Sequence, residues 1–346
     1  MTHRNVVACA RSGARRGLFV TLAVVAFVGA ATHVYAQQSQ NPVQAKAQDG
    51  KLEVVPVQGN VYMIVGAGAN ITVQVGEEAL LIVNTGSPGR GKDVFAAIRT
   101  ISDKPVSYIV DTSADEDVIG GNHDVGAGGS FAPYIQAGTS GERTGASVMA
   151  YIDVLKRMSV PSGKTPLTPE ELWPSDTYDT PDWRFFNNEG VIIEHMPAAH
   201  TDGDSIVFFR RSDVVSTGAI FDPQRFPIID LARGGSINGT IDALNHIVDD
   251  LLISKFGEEA GTYVIPGRGR LCDRTDIVNY RDMVTIIRDR IEDLIQKGMT
   301  LEQVKAAKPA LGFDTLYGEG EKSPATETFI ETIYRDLSKA RNKQGQ

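Results

Sequence analysis

Thr112-Ser113-Ala114-Asp115-Glu116-Asp117-Val118-Ile119-Gly120-Gly121-Asn122 follows directly on the apolar run Val106-Ser107-Tyr108-Ile109-Val110. A short run of that kind reads as a buried strand. The longer stretch is then the turn that leaves the strand, with three acidic residues in succession and two glycines. Upstream, short β-rich runs at Val54, Val61 to Val65, Ile71 to Val75 and Leu80 to Val83 are separated by Gly and Asn turns, the pattern of an antiparallel meander. A helix is predicted from about Gly91 to Thr100, leading into the strand that ends at the acidic turn.

The turn resembles the T-H-x-H-x-D-H-x-G-G-N signature of the metallo-β-lactamase superfamily, with Ser113, Asp115 and Val118 where the three histidines belong and Asp117 keeping the ligand type. Four further segments match in order. Asn70 to Gly86 (NITVQVGEEALLIVNTG) resembles the opening strands and their Asp-Thr-Gly turn, with Asn84 for the aspartate. Ala199 to Phe208 (AHTDGDSIVF) resembles the third metal segment, and His200 keeps its ligand. Ser216-Thr217-Gly218-Ala219 falls on the Thr-Gly-Asp turn, so Ala219 replaces the bridging carboxylate, and in Val264 to Gly269 (VIPGRG) Arg268 replaces the last histidine. The resemblance covers roughly residues 52 to 317. It implies an α/β fold, the αββα four-layer sandwich, and descent from two-zinc hydrolases whose ligand set is here reduced to Asp117 and His200.

Zinc takes about four ligands and favours imidazole among neutral ones. Valine and alanine have no donor atom, so at the second metal position Asp117 faces Val118, Ala219 and the fixed charge of Arg268. That position is expected to hold no metal, with Arg268 supplying the missing positive charge and pairing with Asp117, Asp115 or both. At the first position Asp115, Asp117 and His200 make a set for at most one divalent cation, zinc before others. The alternative for the same residues is a solvated acidic turn beside a buried, hydrogen-bonded His200. A third arrangement makes Ser113 a nucleophile, with His200 as its base and Asp115 as the orienting acid. Ser113, Arg268 and His195 are the candidate substrate contacts, His195 because it lies five residues before His200. His123 and His246 read as surface or packing residues.

Of the 346 residues 42% are apolar, enough for a sizeable core. Arg4, Arg11, Arg15 and Arg16 precede an apolar stretch from Leu18 to Ala31 and a Val34-Tyr35-Ala36 site, the pattern of a secretory signal spanning 1–36. The stretch is short for a membrane span, so no stable span is expected after cleavage, and the protein is expected to be periplasmic or secreted. Removing the four arginines takes the net charge from −9 to −13. That charge opposes binding to nucleic acid or anionic lipid. Cys9 would leave with the signal, so Cys272 stands alone and no intrachain disulfide forms.

A polar linker is expected over 37–50, the metallo-β-lactamase-like domain over 51–272, and helices packed on it over 273–346. An irregular insertion is expected from Gly126 to about Asp182, with a helix around Ala146 to Met158. Further strands are expected at Val191 to His195, Ser205 to Phe209 and Tyr263 to Ile265, and a helix near Ile237 to Leu252. Two functions follow. In one, residual single-metal or metal-free hydrolysis of an ester, lactone or amide uses His200, Asp115 and Asp117 with Arg268 as oxyanion partner. In the other, a non-catalytic pseudoenzyme binds a small anionic ligand or a protein partner through the old cleft.

Overall fold

The strands pair into two sheets whose inner faces meet. A computed structural model of the chain describes residues 50–128, 145–159, 168–252, 261–319 and 324–344. The expected signal and most of the linker lie outside them. The first sheet has seven strands in sequence order: β1 (Glu53–Gln58), β2 (Val61–Val65), β3 (Ile71–Val75), β4 (Leu80–Val83), β5 (Val106–Val110), β6 (Ser147–Tyr151) and β7 (Asp176–Tyr178). The first four form the antiparallel meander, and β4 to β7 run parallel. The second sheet is ordered β12 (Tyr263–Ile265), β11 (Val214–Ser216), β10 (Ser205–Phe209), β9 (Glu189–His195), β8 (Asp182–Phe186), antiparallel except for the parallel pair of β11 and β12.

Period-two alternation sends successive side chains of one strand to different layers. From the first sheet, Met63, Leu81, Val83, Val110 and Met149 face inward and meet Val191, Ile193, Val207, Phe209 and Ile265 of the second. Ile64, Val73, Leu80, Ile82 and Ile109 point outward and are covered by Val94 and Ile98 of helix α1 (Gly91–Arg99). A strand covered on both faces has no polar side, which is why β4 and β5 read as continuous apolar runs. On the other outer face, Ile206, Val215 and Val264 pack under Ile237, Ile241 and Leu244 of helix α5 (Ile237–His246) and under Ile277, Val284 and Ile287 of helix α6 (Arg274–Gln296). The layers are therefore helix, sheet, sheet, helix.

Two expectations change in detail. Residues 147–151, predicted as the start of a helix, form β6, and only Ile152–Met158 are helical, as α4. Val148, Met149 and Ala150 are buried between β5 and β7, and that burial overrides their helical spacing. The helix after Ile237 does not stay regular to Leu252, because Ile247–Leu251 winds as a π-helix. The helices after residue 273 share one core with the second sheet. Phe221 meets Tyr280 of α6 edge to face at 5.0 Å, and Phe226 stacks on Phe329 of the last helix, Ala325–Gln344, at 4.8 Å. Asp273 begins α6 with a capping box to Asp276, onto which Arg270 closes with both terminal nitrogens at 2.8 and 2.6 Å.

At the end of the sandwich that carries the turn between β8 and β9, a buried polar knot ties the sheets together. Glu189 accepts from Gln74 Nε2 at 2.7 Å, from the amides of Arg211 and Ser212 at 3.1 and 3.0 Å, and from Ser212 Oγ at 2.9 Å. Removing the carboxylate strands these donors away from water, so Glu189→Ala is expected to cost about 3 kcal/mol of stability in urea denaturation, with Glu189→Gln recovering part of it.

Candidate functional site

The acidic turn lies at the opposite end, where β5 stops. Asn84, at the end of β4 with φ of 64°, sits in the left-handed region that asparagine tolerates better than most residues. Its Oδ1 accepts from the amide and hydroxyl of Thr112 at 3.1 and 2.9 Å, which fixes the start of the turn. Thr112 O in turn accepts from the Ser205 amide at 2.9 Å and so ties the turn to β10. The two glycines have a steric origin. A Cβ on Gly120 would lie 2.2 Å from Pro88 N, and one on Gly121 would lie 2.3 Å from Thr85 O. Asn122 closes the turn by donating to Asp111 Oδ2 at 2.8 Å.

Asp115 is the hub of the first cluster. Its Oδ2 accepts from Ser113 Oγ at 2.8 Å and lies 2.9 Å from His200 Nε2, while Oδ1 lies 2.7 Å from a terminal nitrogen of Arg233. His200 uses its other nitrogen on the Ile228 carbonyl at 2.6 Å. Arg233 is held from behind, its Nε donating to Asp230 Oδ2 at 2.6 Å while Asp230 Oδ1 accepts from the amides of Ala232 and Arg233. A Cβ on Gly235 would lie 2.2 Å from His200 O, so the loop bearing Arg233 is pressed against the His200 backbone. Burial works against charge on both partners of the hub, but the contacts outweigh it. The carboxyl of Asp115 is held below its usual range by His200 and Arg233, and His200 is raised to about 9 by Asp115.

Asp117 begins the second cluster, and Arg268 donates to its Oδ2. Here burial dominates and, with Asp115 nearby, keeps the Asp117 carboxyl above its ordinary value despite the guanidinium. Val118, in the third histidine position, is 3% exposed and packs with Ala69, Ala150 and Val154. Ala219 and Arg268 line a cleft of about 300 Å³ together with Asp115, Asp117 and His200.

The zinc ions that the sequence resemblance implies find no fitting donor set among the described residues. An imidazole with one nitrogen on a carbonyl and the other on a carboxylate carries a proton on each, and then has no lone pair for a cation. Both oxygens of Asp115 are engaged, and Asp117 is paired with a guanidinium. Among the described residues no group of three His, Cys, Asp or Glu side chains is placed to hold a metal ion.

The serine nucleophile arrangement also fails on geometry. Ser113 Oγ bonds to Asp115 rather than His200, and Ser113 is fully buried. His195 stands apart from the cleft, its Nε2 2.8 Å from Asp202 O and its ring stacked on Tyr151 at 3.5 Å. His246 bridges Glu194 and Asp250 on the helical face, and His123 is exposed. Burial pushes the Cys272 thiol up, which makes it a core residue rather than a nucleophile. Arg233 is the residue of the ion-pair hub that sequence reasoning missed. The Asp230 to Gly235 stretch (DLARGG), an aspartate cap and an arginine before two glycines, was its one signal.

The hub has a pH signature. His200 titrates near 6.5 when unfolded and at about 9 when folded, so its contribution is complete below pH 6.5 and is lost as pH rises through 9. Asp111 acts in the same direction. Burial raises it from 3.8 to about 8, against the hydrogen bond from Asn122, so ionisation of the unfolded chain erodes stability up to pH 8. The melting temperature is expected to fall steadily from pH 6.5 to 9, and Asp115→Asn should end that fall near pH 8. A flat wild-type profile in calorimetry across this range would refute the protonated hub.

No protein-family model matches the chain, and no curated protein matches it. Solved structures do. The chain is similar to the stereoselective inverting sec-alkylsulfatase Pisa1 from Pseudomonas sp., with a TM-score of 0.59 and 15% identity over 82% of this chain and 50% of that one. A double mutant of the same sulfatase aligns with a TM-score of 0.59 at 14% identity over the same shares. A metallo-beta-lactamase from Pontibacter korlensis aligns with a TM-score of 0.53 at 15% identity, over 68% of this chain and 99% of that one. The chain spans about half the length of the alkylsulfatase. Two facing sheets between helical layers, the turn at the end of β5 and these alignments agree on one architecture: the chain has the metallo-β-lactamase fold.

Proposed function

We propose that this protein is a metal-independent small-ligand binding protein built on a hydrolase fold and exported to the periplasm or beyond, the export resting on the signal pattern of residues 1–36. One observation carries the reading of the cleft: the two carboxylates of the acidic turn that stand at expected ligand positions are each paired with a guanidinium, Asp115 with Arg233 and Asp117 with Arg268. A cation entering either position would meet a fixed positive charge and would have to break a charge-assisted pair. Among the described residues no helix is long and apolar enough to cross a membrane.

Metal-free hydrolysis is the second reading, and the raised carboxyl of Asp117 favours it. A carboxylate of raised basicity beside a guanidinium is a pairing that could take a proton from water and steady an oxyanion. His200 is not the base in this scheme, because it already carries its proton at neutral pH. Hydrolysis of p-nitrophenyl acetate in excess chelator that falls at least tenfold in Asp117→Asn would select this reading.

The binding reading predicts that zinc and manganese at up to millimolar concentration neither bind stoichiometrically in calorimetry nor raise the melting temperature, since only a ligand of the native state stabilises it. A variant carrying Ser113→His, Asp115→His, Val118→His, Ala219→Asp, Arg233→Ala and Arg268→His is expected to take up zinc and melt higher with it. Stoichiometric zinc in the wild-type chain would overturn the reading.

A further inference from the structure

The cleft beside Arg268 contains a donor that none of the described residues uses. Tyr280, on α6, is 1% exposed and lines the cleft, yet its hydroxyl has no hydrogen bond of ordinary geometry among the described residues. No acceptor for its proton is placed beside it among the described residues. A buried hydroxyl in that state carries a desolvation cost that a partner would remove. Asp222 lines the same cleft. One of its oxygens accepts from the Gln224 amide at 2.9 Å, and the other has no partner among the described residues. Arg268 spends one terminal nitrogen on Asp117, and its side chain remains 42% exposed, so further donors are free.

Beyond these polar groups the wall is apolar. Phe226 and Pro227 are buried, and Ile228 is 62% exposed at the rim. The charges around the opening give no positive surplus. Four carboxylates, Asp115, Glu116, Asp117 and Asp222, face the two guanidiniums of Arg233 and Arg268. An anion, the ligand expected from Arg268 alone, would stand beside the unpaired oxygen of Asp222 and be repelled.

We infer that the cleft takes a neutral, largely apolar small molecule bearing a carboxamide-type head, whose carbonyl accepts from Tyr280 and Arg268 and whose N–H donates to Asp222. The head answers the unused donor and the unused acceptor at once, and the apolar body covers Phe226, Pro227 and Ile228. About 300 Å³ is at the small end for ligand pockets, which suits a single-ring or short branched body. This assignment rests on the metal-independent binding cleft proposed above.

The test is an amide NMR titration of the full chain at pH 7 in excess chelator, with benzamide, benzoate and benzyl alcohol as matched probes. Benzamide is expected to perturb residues around Asp222 to Ile228 and Arg268 and to bind at least about tenfold more tightly than benzoate, since a site built around a donor and acceptor rejects analogues that leave one unpaired. Tyr280→Phe keeps the ring contact with Phe221 and removes only the hydroxyl, and should weaken benzamide about fivefold. Asp222→Asn removes the repelling charge and should narrow the gap to benzoate about tenfold. Benzoate binding as tightly as benzamide, or benzamide affinity unchanged in Tyr280→Phe, would overturn the head group while leaving the binding cleft standing. Failure of every probe to perturb cleft residues, or perturbation only after zinc is added, would overturn the cleft reading and the inference together.

Discussion

The site depends on two ion pairs that join the acidic turn to loops from the second half of the chain, Asp115 with Arg233 and Asp117 with Arg268. A partly buried carboxylate needs a compensating charge, and the identity of that charge decides what the cleft can do. A divalent ion would bring two charges and several coordination positions. A guanidinium brings one charge and planar donors with fixed directions. The hub adds the imidazolium of His200, so neutrality is approached with three single charges from three segments. Two of the segments are anchored from behind, Arg233 by Asp230 and His200 by the Ile228 carbonyl.

This arrangement constrains chemistry as well as structure. His200 already carries its proton and has both nitrogens engaged, so it is neither a free base nor a free ligand. Ser113 is buried with its hydroxyl turned to Asp115. Among the described residues of the cleft, Arg268, Asp222 and Tyr280 keep unspent hydrogen-bonding capacity. Likeness to hydrolases at 14% to 15% identity reports the fold, and these side chains report the chemistry.

Much of the candidate site was legible because its segments are local. A strand that ends in a polar turn keeps its register from residue to residue, so Asp115 and Asp117 could be placed at the end of β5, and His200 and Arg268 at the turns after β9 and β12, from pattern alone. The pairing of Arg268 with Asp117 was expected, because a lone buried carboxylate calls for a cation. The partner of Asp115 was not, since Arg233 lies 118 positions further along the chain and no pattern links the two. The strand at 147–151 was misread for a related reason. Its five residues suit either element, and only burial between two neighbouring strands selects the extended form.

The sequence by itself determined most of the strands, because apolar runs with turns at their ends specify strands and their covered faces, and the resemblance of its turn segments implied the sandwich. It also determined that five of the seven positions where the resemblance places metal ligands hold other residue types, which is a matter of identity alone. Only the tertiary structure decided which charges meet, that His195 faces Tyr151 rather than the cleft, and that a tyrosine from a late helix reaches the cleft with an idle hydroxyl. Hydrogen bonds and ion pairs act over a few ångströms between residues far apart in the chain, so no local pattern in the sequence records them.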